Sequence, residues 1–149
     1  MAISQAMCTS FKVELLDGIH AFGTTVVRGA TTADTFKMAL YTSSASLGAA
    51  TTAYTASGET SGTGYVATGQ DLTVSAVPQA DGTTAILNFS TETWTTASIT
   101  AAGALIYNDT MSDTAVAVLD FGGDKTSTAG DFSVVFPTFD ATNAIIRIA

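Results

Sequence analysis

The apolar residues of this chain fall into short runs separated by turn-forming residues, and two of these runs lie close together in the second half. The first run is Ala104–Tyr107, the second is Ala115–Phe121, and the polar segment Asn108–Asp113 separates them. Runs this short, bounded by Gly, Asn and Asp, are typical of buried β-strands joined by a turn. The pattern therefore predicts an antiparallel hairpin near the middle of a sheet.

Further β-type segments occur on both sides of this hairpin. Alternation within Thr35–Thr42 places Phe36, Met38 and Leu40 on one buried face. The other predicted strands are Asp71–Val77, Thr84–Phe89, Phe132–Phe136 and Ala144–Ile148, with a shorter one near Gly64–Ala67. The first strand of the hairpin is expected to span Ser98–Tyr107, and Thr24–Asp34 is either a loop or contains a short strand at Thr24–Val27.

The spacing of these strands predicts the fold class. About eight strands separated by turns are typical of a mostly β, single-domain antiparallel β-sandwich, and we expect jelly-roll connectivity. Asp81 and Gly82 mark a tight turn between two of the strands, and Pro78 is expected to end the strand before it. The segment Gly122–Asp131 is predicted to be a loop because it is rich in turn formers.

One segment has helical rather than strand periodicity. Ser10–Phe22 is predicted to be an amphipathic helix, with Ser10 as its N-cap and Gly23 after its end. Its apolar face forms a possible subunit interface, made of Phe11, Leu15, Leu16, Ile19 and Phe22. Two roles stay open for this helix: it covers a sheet of its own domain, or it docks on a neighbouring subunit.

Two further segments are not needed to close a sandwich. Residues 1–9 are small and polar, which predicts a flexible or docking arm. Ser43–Gly69 is a long stretch of Ser, Ala, Thr and Gly, and loops of this length in a compact domain are usually functional or form interfaces. Both segments are therefore candidates for contacts with a partner.

The charge balance excludes some partners. The chain has 13 acidic and 5 basic residues, a formal net charge of −8, and its cations are scattered. An acidic chain without a basic patch does not attract phosphate backbones, so we expect no nucleic-acid binding. No apolar run is long enough to cross a membrane, and the single cysteine, Cys8, excludes an internal disulfide framework. We expect synthesis in a reducing cytoplasm without secretion.

Few residues could carry chemistry. His20 is the only histidine, and on the predicted helix we expect it to face solvent or to lie at the helix end. The segment Gly122–Ser127 has a lysine but lacks the glycine spacing of a phosphate-binding loop. Aspartates around the central hairpin have no calcium-loop spacing. We therefore predict no catalytic, cofactor or metal site, and we expect the protein not to be an enzyme.

Several phrases of the sequence resemble small virion structural proteins of tailed bacteriophages. These phrases are TFKMALYTSSASL, ETSGTGY, NFSTETWTTASITAAGALIYN and AVAVLDFGGDKTSTAGDFSVVFPTFDATNAIIRIA, and they cover most of the chain from Phe11 onward. The resemblance is greatest to capsid decoration, or cement, proteins. It implies a homo-oligomer, a dimer or a trimer, that binds the major capsid protein on the outer surface of the head and bridges neighbouring subunits.

Two other functions stay open at this point. One is a tail, neck or head-fibre component of the same kind of virus, which would also be a β-rich oligomer without catalytic groups. The other is a carbohydrate- or host-surface-binding module, which needs exposed aromatic side chains. Trp94, Tyr54 and Tyr65 could supply these if they converge, although Trp94 is expected to be a core residue.

Overall fold

The computed structural model describes residues 2–16, 18–22 and 33–149, which form one helix and eight strands. The helix, α1, is Thr9–Leu16. The strands are β1 (Ala6–Met7), β2 (Phe36–Tyr41), β3 (Gln70–Leu72), β4 (Val74–Asp81), β5 (Thr84–Phe89), β6 (Glu92–Asn108), β7 (Thr114–Val134) and β8 (Ile146–Ile148).

The strands form two antiparallel sheets. One sheet has the order β1-β7-β6-β2-β3, and the other has the order β4-β5-β8. Phe36 of the first sheet and Phe89 of the second lie with their ring centroids 6.3 Å apart, so the two sheets share one apolar core. The described residues are thus mostly β and consistent with a β-sandwich, whereas the strand order does not confirm jelly-roll connectivity.

The central hairpin is confirmed and is longer than predicted. β6 and β7 pair from Asn108 and Thr114 beside the turn to Glu92 and Val134 at the far end. The prediction of a loop at Gly122–Asp131 is wrong, because these residues lie inside β7. Their side chains are mostly exposed, so the apolar alternation that marks a half-buried strand is absent. This part of β7 is a strand because its backbone pairs with β6.

Irregularities in pairing bend this hairpin sharply. β7 has more residues than β6 between the pairs Gly103–Asp120 and Ala101–Lys125, and the extra residues include Gly122 and Gly123, both with positive φ. Further shifts occur where Thr96 and Ala129 have φ values of 51° and 47°. Bulges of this kind bend strands and increase their twist.

Three of the smaller strand predictions need correction. β4 runs through Pro78 to Asp81 and does not stop before the proline, which is tolerated because β4 is an edge strand. Gly64–Ala67 forms turns, and beside it Thr63 makes only an isolated bridge to Ser98. The last strand begins at Ile146. The segment Thr24–Val27 lies outside the described residues.

The N-terminal helix is only a short piece of the predicted one. α1 ends at Leu16, and Gly18 follows with φ 70° and donates its N–H to the Leu15 carbonyl at 3.2 Å. A glycine in this left-handed conformation is a common helix terminator. Residues 19–22 are therefore not helical, and the predicted end at Gly23 is too late.

Residues 2–9 lie along their own domain. β1 pairs with Ala117 and Val118 of β7, and Ser4 donates its N–H to the Leu47 carbonyl at 2.9 Å. The methyl groups of Ile3 also approach Gly103 of β6, where an added Cβ would come within 3.0 Å of them. The predicted arm thus covers part of the outer edge of β7.

Candidate interaction surface

The predicted interface residues divide into covered and accessible ones. Phe11 is fully buried and Phe22 is nearly so, with Phe22 stacked on Phe36 at 4.2 Å between ring centroids. Leu15 and Ile19 keep part of their surface exposed, and Leu16 is the last residue of α1. Much of the predicted docking face is therefore core of its own subunit, and a contact with a neighbouring subunit stays a prediction.

A small apolar groove of about 250 Å³ lies between α1 and the second sheet. Leu15 and Phe22 line one side, and Ile86, Ile146 and Ile148 line the other. Ile148 is half exposed at its rim. This groove is the part of the predicted interface that a partner could reach.

His20 is buried and does not face solvent or end a helix, so this expectation was wrong. Its ring lies 4.8 Å from that of Phe11, and its Nδ1 is 2.9 Å from Asn108 Nδ2. Asn108 Nδ2 also donates to Asp34 Oδ2 at 2.9 Å, and Asn108 Oδ1 accepts the Met111 N–H at 3.2 Å. Asn108 thereby ties the segments around residues 20 and 34 to the hairpin turn.

Parts of the long loop Ser43–Gly69 are joined to one another by a carboxylate that the sequence did not single out. Glu59 Oε1 accepts the Tyr65 hydroxyl at 2.6 Å and the Thr68 N–H at 2.7 Å, and Glu59 Oε2 accepts the Tyr54 hydroxyl at 2.6 Å. We call this group, Glu59 with Tyr54, Tyr65 and Thr68, the Glu59 clamp. It joins two turns of the loop.

The remaining two tyrosines of the chain also bond to this loop. Tyr41 donates its hydroxyl to the Thr55 carbonyl at 2.6 Å, and Tyr107 donates to the Thr68 carbonyl at 2.7 Å. Because both side chains come from strands of the five-stranded sheet, the hydroxyls tie the loop to the sheet. The loop is therefore a packed part of the domain, with Val66 exposed by 72% near its end.

Burial raises the pKa of every one of these tyrosines. The pKa of Tyr54 rises to about 12, first through desolvation and then through its bond to the Glu59 carboxylate. Desolvation likewise raises the pKa values of Tyr41, Tyr65 and Tyr107 well above the usual value. All four hydroxyls therefore stay protonated to a higher pH than an exposed tyrosine hydroxyl does.

Among the described residues, the three candidate aromatic side chains do not form an exposed platform. Trp94 is buried, as expected, with its ring centroid 6.2 Å from that of Tyr65. Tyr54 and Tyr65 use their hydroxyls in the Glu59 clamp. A glycan-binding surface built from Trp94, Tyr54 and Tyr65 therefore finds no support in this arrangement.

The described part of the chain likewise lacks a cluster of metal-ligating side chains. Across residues 2–16, 18–22 and 33–149, no group of three or more His, Cys, Asp or Glu side chains could hold a metal ion. Cys8 is fully buried beside β7. In the same described residues, no helix is long and apolar enough to cross a membrane.

A concave surface lies inside the bend of the central hairpin. We call it the bend groove; it has a volume of about 570 Å³. Leu119 and Phe121 line one wall, and Phe132 and Val134 line the opposite wall. The remaining lining residues are Gln5, Lys125, Thr126, Ser127, Asp131, Ser133, Val135, Phe136, Pro137 and Ile145. Sequence reasoning missed it, because the bend was expected to be a loop.

The rim of the bend groove combines exposed apolar and charged groups. Val135 is 73% exposed, which makes it one of the most accessible large apolar side chains. Asp131 and Lys125 line the groove, so one carboxylate and one ammonium group face it. The exposed Asp120 and Asp124 are sequence neighbours of lining residues but do not belong to the lining.

Comparisons with known proteins give no relative: no protein-family model, no curated protein and no solved structure matches the chain.

Proposed function

We propose that this chain is a structural protein of a tailed-phage virion that binds the outer surface of the expanded capsid and bridges neighbouring capsid subunits. The observation that carries the proposal is the bend groove, an open apolar surface on β7 next to β6, a hydroxyl-rich strand whose one charged residue is Glu92. Exposed apolar grooves with polar rims mark sites of protein–protein contact. The resemblance of the sequence to decoration proteins names the class of partner.

The exposed hydroxyls of the hairpin suit a surface that a partner covers. Thr100 and Thr126 are hydrogen bonded to each other across the hairpin at 2.8 Å, and Thr93 and Ser133 are bonded at 2.9 Å. Because hydroxyls that already have a partner lose fewer water contacts on burial, covering such a surface costs less free energy than covering charged side chains.

The proposed mechanism is mechanical. Expansion of a phage head changes the spacing of the capsid subunits, and a domain that contacts two subunits only at the expanded spacing binds that state more tightly. Its differential affinity then stabilises the expanded shell. Each contact can be weak, because linked contacts repeated across the shell raise the overall avidity.

The partners follow from this mechanism. The major capsid protein supplies the lattice, and a homo-oligomer of the chain, a dimer or a trimer, would present two or three equivalent copies of the bend groove to it. The site of action is the capsid surface, after synthesis in the cytoplasm of the bacterial host.

The copy number of the chain in purified virions tests this proposal. Quantitative mass spectrometry against the major capsid protein should give a number comparable with that of the lattice subunits. A number that matches one ring of subunits would assign the chain to the neck or tail and contradict the decoration role. Absence from the particles would reject a virion function altogether.

A second measurement tests the mechanism. Purified chain is added to expanded and to unexpanded heads that lack it, and the bound fraction is measured by co-sedimentation. Binding to expanded heads only is expected. Equal binding to both states would mean that the chain does not stabilise expansion, because a ligand without differential affinity shifts no equilibrium.

A further inference from the structure

We propose that two copies of this chain pair with each other through the outer edge of β7. The two strands run antiparallel across a twofold axis at Thr126, so the sheet of one copy continues into the sheet of the other. The proposed function includes a homo-oligomer, and this pairing is the contact that would form it. The pairing is inferred from the strand edge alone, so it can be correct even if the chain binds no capsid.

The outer edge of β7 is open in the part far from the hairpin turn. Near the turn this edge is covered by its own chain, because Ala53 bridges to Thr114 and β1 pairs with Ala117 and Val118. In the part of the chain that the structure describes, no strand or bridge pairs with this edge beyond Asp120. An open strand edge is a template for pairing with a further strand.

Hydrogen bonds on the far side of β6 show how its backbone is oriented. Ser98 donates its N–H to the Thr63 carbonyl at 2.9 Å, so its backbone groups point away from β7. The Thr100 carbonyl accepts the Thr60 hydroxyl at 2.6 Å and points the same way. Because the direction of the backbone groups alternates along a strand, those of Ile99 point towards β7.

The same alternation shows which backbone groups of β7 are free. Ile99 is paired with Ser127, so the N–H and C=O of Ser127 point to β6. The N–H and C=O of Thr126, the residue before it, therefore point outward. Since peptide groups are planar and trans, the Asp124 carbonyl and the Thr128 N–H point outward as well. These groups form a short hydrogen-bonding edge on an exposed stretch of the strand.

Bulges limit this edge on both sides. Gly122 and Gly123 have positive φ before it, and Ala129 has φ 47° after it, at positions where the pairing with β6 shifts. Because bulges disrupt a ladder, the part of β7 that is open to regular pairing is residues 124–128. Its midpoint is Thr126.

The midpoint determines the register of two copies. In an antiparallel pair about a twofold axis, residues at equal distances from the axis lie opposite each other. Thr126 therefore exchanges both backbone hydrogen bonds with Thr126 of the other copy, and the Thr128 N–H donates to the Asp124 carbonyl across the axis.

The charges of the segment favour a second copy as the occupant. Asp124 and Lys125 balance each other, so residues 124–128 carry no net charge although the chain has a formal net charge of −8. Like charges placed together in an interface are unfavourable, and this pairing joins two neutral segments. In the same register the Asp124 carboxylate lies opposite the Thr128 hydroxyl of the other copy, which can donate to it.

Sedimentation velocity of the full chain, from about 5 µM to about 500 µM, tests the pairing. A segment this short buries less surface than a standard protein interface, so we expect a reversible monomer–dimer equilibrium within this range. A chain that stays monomeric at every concentration would overturn the proposal.

A matched pair of variants at Thr126 separates backbone from side-chain effects. Thr126→Pro removes the outward N–H, and the fold should be retained because proline is tolerated where the N–H of an edge strand faces away from the sheet. The dimer should dissociate about tenfold or more readily. Thr126→Val loses the same hydroxyl bond to Thr100 but keeps the N–H, so its dissociation constant should change by less than about twofold. Equal weakening by the two variants would overturn the proposal.

Hydrogen exchange of the unaltered chain gives a test that needs no variant. The Thr126 and Thr128 amides face water in the monomer, so their protection should rise with protein concentration. The Ser127 amide bonds to β6 and should be protected at every concentration. Protection at Thr126 that does not depend on concentration would overturn the proposal.

The outcomes separate this pairing from the proposed function. If the chain dimerises through Thr126 but binds no heads, the decoration role fails and the pairing stands. If the chain stays monomeric and binds expanded heads, the pairing fails and the decoration role survives. If a monomeric chain loses head binding on Thr126→Pro but not on Thr126→Val, a strand of the capsid occupies the edge and the second copy is overturned.

Discussion

Phe121 and Phe132 belong to the same strand, yet their ring centroids lie only 6.3 Å apart. Eleven residues of regular strand, at about 3.3 Å per residue, would separate them by roughly 36 Å. The bulges around Gly122, Gly123 and Ala129 return the strand towards its own beginning. The short distance between the two rings is therefore a direct result of the bend that creates the groove.

Coupling between these two phenylalanines tests the bend. Phe132→Ala should lower the free energy of unfolding by about 3 kcal/mol, because Phe132 is buried and also contacts Trp94. Phe121→Ala should cost less, since Phe121 is partly exposed. In a double-mutant cycle measured by urea unfolding, the pair should show a coupling of about 0.5–1 kcal/mol. Additive effects, as expected for Phe121→Ala with Phe36→Leu, would contradict the contact.

The Glu59 clamp predicts a graded loss of stability. Glu59→Ala should cost about 3 kcal/mol, because two tyrosine hydroxyls and the Thr68 N–H lose their acceptor. Glu59→Gln should cost about 1–2 kcal/mol, since its amide keeps one oxygen. Urea unfolding and hydrogen exchange at the Thr68 amide measure both effects. If Glu59→Ala were as mild as Asp71→Asn, the clamp would not hold the loop.

The four tyrosines predict a loss of stability at high pH. A raised pKa means that the fold favours the neutral hydroxyl, so this stability is complete below the unfolded value of about 10. It declines as pH rises above 10 towards the pKa of about 12 of Tyr54. Absorbance at 295 nm and circular dichroism should therefore change together above pH 10. A tyrosine that ionises near pH 10 in the folded protein would contradict this expectation.

Gly69 and Gly82 form a matched pair of glycine positions. Both have positive φ, 78° and 63° respectively, but an added Cβ at Gly69 would overlap the Met38 carbonyl, whereas nothing lies within 4 Å at Gly82. Gly82→Ala should cost about 1 kcal/mol from backbone strain alone. Gly69→Ala should cost at least about 3 kcal/mol, because the backbone of β2 must also shift. Equal shifts in the urea unfolding midpoint for the two variants would contradict this packing.

The sequence predicts the apolar strands of this fold better than its polar ones. The strands with alternating or continuous apolar residues, such as Phe36–Tyr41 and Thr84–Phe89, occur where the pattern places them. Gly122–Gly130 has no such pattern, because its side chains are exposed on both sides and only pairing with β6 makes it a strand. The helix was overestimated because Ile19 and Phe22 continue the helical spacing beyond Gly18, although they lie in a segment that is not helical.

The candidate site depended on contacts that no local pattern contains. The sequence does single out the loop Ser43–Gly69 as important, but it does not indicate that Tyr41 and Tyr107, from distant strands, bond to it. The bend groove depends on bulges whose positions follow from pairing between β6 and β7. The burial of His20 depends on Asn108, which lies beside the hairpin turn far along the chain.

The pairing of β1 with β7 constrains the order of events during synthesis. Ala6 is made more than a hundred residues before its partner Val118. The first strand therefore cannot reach its final place until Val118 has been made, and such distant pairing slows folding because a large loop must close first. We expect the N-terminal segment to pack last, onto a domain that is already folded.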